Sequence, residues 1–267
     1  MEKLNFTKKD CKKLIIIMLL TDGCVSTINQ GKYTYVKISY WSKDEILKNI
    51  FIKLMKIAFN FDPSHIGKEE VYFKRKREST KILSELKKIS LNLDKKSNRV
   101  SLDFIELNDR NTSRFILRLA MSGEGSISLS RKKSDGGFRY NLAFACANKK
   151  LCEEWERIFN SFKINMKIRK DSSVYSGVHG LQSITEESIL NFNKIGGFID
   201  GVRIYKGKRF RGFEKNHVLN ICAKVINNRQ KGKLKGYTKW SNEDFWNFVN
   251  AGVPEHGQRG KTQAIEC

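Results

Sequence analysis

Ile15-Ile-Ile-Met-Leu-Leu-Thr-Asp-Gly23 and Leu117-Arg-Leu-Ala-Met-Ser-Gly-Glu-Gly125 are the two stretches whose reading decides the fold. Each runs apolar residues into one carboxylate followed at once by glycine. The carboxylates, Asp22 and Glu124, stand 102 residues apart. The same order follows each glycine: an alternating segment, a basic turn, a second alternating segment, then an amphipathic run with Lys and Asp or Glu at its start. The chain therefore reads as an internal duplication with one acid per copy.

Glycine commonly ends a helix because it enters the left-handed region at no steric cost. This puts Asp22 and Glu124 at helix C-termini, where the macrodipole already gathers negative charge and a cation is the natural partner. A divalent metal suits that place, with Gly23 and Gly125 as its backbone neighbours. The runs Leu14 to Leu20 and Phe115 to Met121 have too few polar positions for surface helices, so both should be buried on nearly all sides. Packed on each other, they would bring both acids to one end of a shared interface.

On motif, spacing and repeat order, residues 8 to 215 resemble the LAGLIDADG homing endonucleases, specifically the single-chain members with two motif copies. The resemblance implies an α+β fold of two pseudo-symmetric αββαββα repeats. Their antiparallel four-stranded sheets form a DNA-binding saddle around paired central motif helices. It implies further that Asp22 and Glu124 bind catalytic Mg2+, each cutting one strand. A basic residue is expected beside each metal, Lys95 or Lys96 in the first half and Lys206 or Lys208 in the second, with Lys96 and Lys206 carried as the catalytic pair. The family's motif helices touch through small residues, but here that position holds Ile17 and Leu119. Ala120, Ser122 and Gly123 supply smallness in the second copy alone.

A formal charge of +23 and a pI near 9.8 exclude the usual profile of an enzyme acting on small metabolites and favour polyanionic partners. The cysteines, Cys11, Cys24, Cys146, Cys152, Cys222 and Cys267, lack ligand spacing and read as thiols in a reducing intracellular compartment, cytoplasm or organelle matrix. His65, His179, His217 and His256 form no zinc or histidine-metal nuclease cluster. No signal peptide is expected, and Leu14 to Leu20 is too short to span a bilayer.

Four segments are expected: a first repeat over 1–98, a linker over 99–110, a second repeat with a basic extension over 111–236, and a C-terminal helix and tail over 237–267. In the first repeat the pattern predicts a helix over Asp10 to Leu20, a hairpin of Cys24 to Gln30 with Tyr33 to Tyr40, and a helix capped by Ser42 that turns Ile46, Ile50, Leu54 and Ala58 to the sheet. A strand over Glu70 to Arg77 and a helix over Ser79 to Leu91 complete it. The second repeat predicts strands over Gly125 to Lys132 and Phe138 to Cys146, a helix over Lys149 to Phe162, strands over Asn165 to Lys170 and Gly180 to Ile184, and a helix over Glu186 to Lys194. Residues 203 to 236 hold eleven Lys or Arg against the single acid Glu214. Ser241 to Val249 predicts a short helix that docks the tail. Gly196-Gly-Phe-Ile-Asp-Gly201 mimics a third motif but has valine where the acid belongs, so it reads as a turn with Asp200 as a local cap.

Two-stranded ribbons fit the major groove, where base edges carry a distinguishable pattern. The groove-facing set is Ser26, Asn29 and Gln30 in the first half and Ser126, Ser128, Ser130, Arg139 and Asn141 in the second. Lys32, Lys37, Lys74, Lys76, Arg131, Lys132, Lys133, Lys167 and Arg169 complete the expected DNA contacts, mostly at phosphates. The sequence thus points to a monomeric, Mg2+-dependent, site-specific endonuclease on double-stranded DNA, without membrane association. The alternative is a DNA-binding regulator or intron maturase on the same scaffold, with intron RNA as partner.

Overall fold

The structure is a computed structural model that describes residues 6–30, 32–90, 93, 101–132, 135–146, 149–170, 179–206, 210–234, 236, 239 and 241–250. The first repeat runs α1 (Lys8–Leu20), β1 (Gly23–Gln30), β2 (Tyr33–Trp41), α2 (Glu45–Phe59), β3 (His65–Ile66), β4 (Glu70–Lys74) and α3 (Glu78–Lys87). The second runs α4 (Arg110–Glu124), β5 (Gly125–Arg131), β6 (Phe138–Cys146), α5 (Lys149–Ser161), β7 (Lys167–Lys170), β8 (His179–Ser183) and α6 (Glu186–Lys194). Each is αββαββα. Two further helices follow, α7 (Lys215–Gln230) and α8 (Asn242–Asn250).

The strands form two antiparallel sheets of matching order, β1-β2-β4-β3 and β5-β6-β8-β7. Register matches too: the glycine after each acid opens its sheet, Gly23 opposite Tyr40 and Gly125 opposite Phe144. Those two aromatic residues turn inward, Tyr40 onto Phe51 of α2 and Phe144 onto Trp155 of α5, at ring-centroid distances of 5.2 and 5.3 Å. Leu14 to Leu19 of α1 and Phe115 to Met121 of α4 are buried, with Arg118 among them, and the two helices pack together. Helix α1 starts earlier than the apolar pattern indicates because Thr7 and Asp10 form a capping box.

Three local expectations are corrected. Neither motif glycine is left-handed; Gly125 is extended at φ −89°, and Gly23 is absent from the positive-φ glycines. Glycine is needed there for close approach, since a Cβ at Gly23 would lie 2.4 Å from Leu19 Cα and one at Gly125 would lie 2.4 Å from Met121 O. The N-cap of α2 is Asp44 rather than Ser42, whose hydroxyl instead accepts from the Asp44 amide at 3.0 Å. On α2 it is Phe51 that meets the sheet, while Ile46, Ile50 and Leu54 line a groove with Phe115 and Ile199 of the second half.

Helix α7 is an addition to the expected elements, and the two-residue β3 is the fourth strand that the resemblance implies and the pattern does not locate. The Gly196–Gly201 turn lies where expected, but Asp200 accepts from the Asn216 side chain at 2.7 Å rather than capping backbone. Helix α8 begins one residue later than read and seats Phe245 on Phe138 of the second sheet, 5.8 Å between centroids. The Gly31 turn residue, Lys95, Lys96, Lys133, Lys208 and the tail lie outside the described residues.

The close approach predicts that Gly125→Ala destabilises the fold by about 1–3 kcal/mol, because the methyl must displace the last turn of α4. Urea unfolding reads this, and an unchanged midpoint would contradict the packing explanation.

Candidate metal and nucleic-acid site

The ends of α1 and α4 meet at the second motif's glycine. A Cβ at Gly123 would lie 3.2 Å from Asp22 Oδ2 and 3.3 Å from Thr21 Cβ, so the absence of a side chain lets the Asp22 carboxylate reach the α4 terminus. Gly123 thus supplies smallness at this contact, while Ile17 and Leu119 are buried in the core. Asp22 and Glu124 line one cleft of about 520 Å³, with Asp44, Arg203, Tyr205, Lys206 and Lys215.

Two negative helix ends and two carboxylates concentrate charge here, and the chain brings in its own cation. Lys215, the first residue of α7, is buried and donates to Ser122 O at 2.8 Å and Gly125 O at 2.7 Å. Burial pulls its ammonium down to about 8, against the upward pull of the Asp44, Asp22 and Glu124 charges. Asp44, buried in the first half, accepts from the Arg203 amide at 3.2 Å and the Tyr205 hydroxyl at 3.0 Å. Desolvation raises its carboxyl despite those hydrogen bonds. Tyr205 is pushed up to about 12, by burial first and then by Asp44. Tyr40 beneath the acids is raised well above the usual phenol range by burial and by the charges of Asp22, Glu124 and Asp44.

The segment carrying Arg203 and Tyr205 is a strap between the halves. Arg118 Nη2 donates to Phe198 O at 3.1 Å, and the Ile199 amide donates to Ser122 Oγ at 2.7 Å. The strap then reaches Asp44 and feeds into α7, which delivers Lys215. Asp44, Tyr205 and Lys215 were missed in the sequence. Val218, Leu219, Cys222, Val225 and Ile226 have the helical spacing that marks α7, within a segment dense in basic charge.

Of the expected DNA contacts, Ser126, Ser128, Arg139, Asn141, Lys167 and Arg169 share the outer face of the second sheet by strand register, with Ser130 at its edge. The Gln182 side chain joins them and donates to Asn141 Oδ1. In the first sheet Ser26, Lys37 and Lys74 share the outer face, and Gln30 has the same strand parity. Asn29 lies on the opposite parity and pairs with Thr34 across the hairpin, accepting from its hydroxyl at 3.0 Å. Arg131 likewise has the inner parity, and its Nε donates to Gly136 O at 3.3 Å. Lys32 and Lys76 sit in turns beside the first sheet, and Lys132 in the turn after β5, 3.9 Å from Asp135.

Among the described residues, no cluster of three or more His, Cys, Asp or Glu is arranged to hold a metal unaided. No helix among them is long and apolar enough to cross a membrane. Cys11, Cys24, Cys146, Cys152 and Cys222 are free thiols.

Residues 112–197 match the LAGLIDADG-like domain family. Among solved structures, the fold is similar to I-SmaMI bound to uncleaved DNA target in the presence of calcium ions, at 14% identity, TM-score 0.53, and coverage of 94% of this chain and 99% of that one. It is also similar to the LAGLIDADG homing endonuclease I-GzeII in complex with DNA target, at 11% identity, TM-score 0.50, and coverage of 92% and 98%. At such identities the likeness is one of fold. No curated protein matches in sequence.

Below about pH 8 Lys215 is charged whether the chain is folded or not, so the cost of burying the ammonium is present in full. Between about 8 and 10.5 the folded chain releases that proton first, so stability rises with pH in that window. The stability of the wild type minus that of Lys215→Met should accordingly climb by up to about 3 kcal/mol over this window. Urea unfolding across the window measures it, and a flat difference would contradict the burial of a charged amine.

Proposed function

We propose that this chain, whose residues 112–197 match the LAGLIDADG-like domain family and whose fold is similar to that of I-SmaMI and I-GzeII, is a site-specific, metal-dependent double-strand DNA endonuclease of homing type. The observation that carries this reading is the convergence of Asp22 and Glu124 in one cleft between the two sheet-bearing repeats. I-SmaMI and I-GzeII, which share the fold, are described with DNA targets.

The donor chemistry fits a hard divalent cation, Mg2+ in our reading. Mg2+ is commonly held by one or two carboxylates, with waters and substrate phosphates completing its shell, so Asp22 and Glu124 suffice without a closed protein cage. Bound there, the ion would supply charge to a scissile phosphate and acidify an attacking water. The chain's own residues do the positioning. Lys215 ties down the carbonyls on either side of Glu124 and fixes the last turn of α4. Lys206 lines the same cleft, where a cation would offset phosphate charge. Ser126, Ser128, Arg139, Asn141 and Gln182 offer hydrogen-bonding groups to base edges, each good bidentate pair worth about 1–3 kcal/mol of discrimination. Lys167 and Arg169 on the same face would meet phosphates. The chain would act as a monomer, its two repeats addressing the two halves of a long pseudo-palindromic site.

Asp22→Asn and Glu124→Gln should each turn double-strand cutting into nicking while duplex affinity is retained. Strand-resolved cleavage of a labelled target reads the outcome, and undiminished double-strand cleavage by either variant would remove the acids from the mechanism. Duplex affinity should fall with salt at a log–log slope of about −0.9 for each phosphate neutralised. A flat salt profile in filter binding would contradict a duplex seated on the basic sheets.

A further inference from the structure

The outer faces of the two sheets differ in chemistry at equivalent positions. Aligning the sheets by their opening glycines makes Tyr35 equivalent to Arg139, Lys37 to Asn141 and Trp41 to Ala145. The next strand pairs make Tyr72 equivalent to Gln182 and His65 to Lys167. The first sheet therefore places rings where the second places hydrogen-bonding or small side chains. The rings stay accessible: Tyr33 is 51% and Trp41 48% exposed, and Tyr35 and Tyr72 are partly so.

Cations accompany these rings. Lys76 Nζ lies 3.6 Å from the Tyr33 centroid, Lys74 4.9 Å from Tyr35, and Lys37 4.3 Å from Tyr72 and 6.0 Å from Trp41. His65 stacks on Tyr72 at 5.0 Å. Tyr33 and Tyr35 lie on β2 and Tyr72 on β4, the two central strands of the sheet. A paired base in a duplex offers only its edge to a protein, which a ring reads poorly. An unpaired base offers its face, and four-stranded sheets with aromatic side chains on their surface stack such bases, with neighbouring cations holding the phosphates.

We propose that the outer face of the first sheet is a platform for unpaired bases, giving the protein a single-stranded nucleic-acid site centred on Tyr35 and Tyr72. The proposal does not rest on DNA cleavage; the face takes a single strand or a duplex half-site, one at a time. A strand on this face meets bases by stacking and phosphates through Lys74 and Lys76, while Lys37 is held by Glu70 at 2.5 Å.

The test is fluorescence anisotropy of the full chain with labelled oligo(U) RNA and oligo(dT) DNA, and with a duplex in parallel. The wild type should bind single strands, and the Tyr35→Val/Tyr72→Val pair should lose about tenfold in affinity per ring removed. Tyr35→Phe/Tyr72→Phe keeps both rings and should retain wild-type affinity, separating stacking from misfolding. Ring-dependent binding of only one oligonucleotide supports the site and identifies its preferred sugar. Ring-dependent single-strand binding without duplex binding would remove the endonuclease reading and leave this one standing. Absence of single-strand binding, or equal affinity of the Val pair and the wild type, would overturn the proposal.

Discussion

The contact of the α1 and α4 termini at Gly123 is the constraint around which the rest of the molecule is arranged. Each of these helices carries partial negative charge at its C-terminus, and a carboxylate sits at each end. Bringing Asp22 Oδ2 against the α4 backbone would be costly in isolation. Lys215, buried on the Ser122 and Gly125 carbonyls, sets a positive charge against them at the expense of its own desolvation. The Gly196–Tyr205 strap exists in the same service: it is pinned on α4 by Arg118 and Ser122, crosses to Asp44 of the first half, and leads into α7.

The paired repeats were legible because their signals are periodic. Period-two alternation in Phe138–Cys146 and the two apolar runs before Asp22 and Glu124 translate directly into a strand and two buried helices. What stayed hidden depends on contacts between distant residues. Asp44 looks like an ordinary first-turn acid, and only its partners Arg203 and Tyr205, 159 and 161 residues away, show its place in the cleft. Lys215 is one of eleven cations in its segment, and nothing local sets it apart from the others. The reason for Gly23 and Gly125 was also illegible, since close packing on the preceding turn leaves the same residue as a left-handed cap would.

Pseudo-symmetry in this chain extends to the backbone and the inner faces but stops at the outer ones. Tyr40 and Phe144 occupy the same register and pack alike, because both must fill the space between sheet and helix. Solvent-facing positions carry no such requirement, so the first sheet has become aromatic and lysine-rich while the second presents Ser, Arg, Asn and Gln. The cleft draws Tyr205 and Lys215 from the segment that follows the second repeat. Two repeats that fold alike thus offer nucleic acid two different surfaces.

Cleavage of a randomised duplex library in Mg2+, with Ca2+ as a binding control, tests the central claim most directly. The account predicts a small set of sequences enriched among both bound and cut molecules, with the break at a fixed place in each. Sequences enriched by binding but never cut would contradict it, leaving a fold that holds two carboxylates together without using them for hydrolysis.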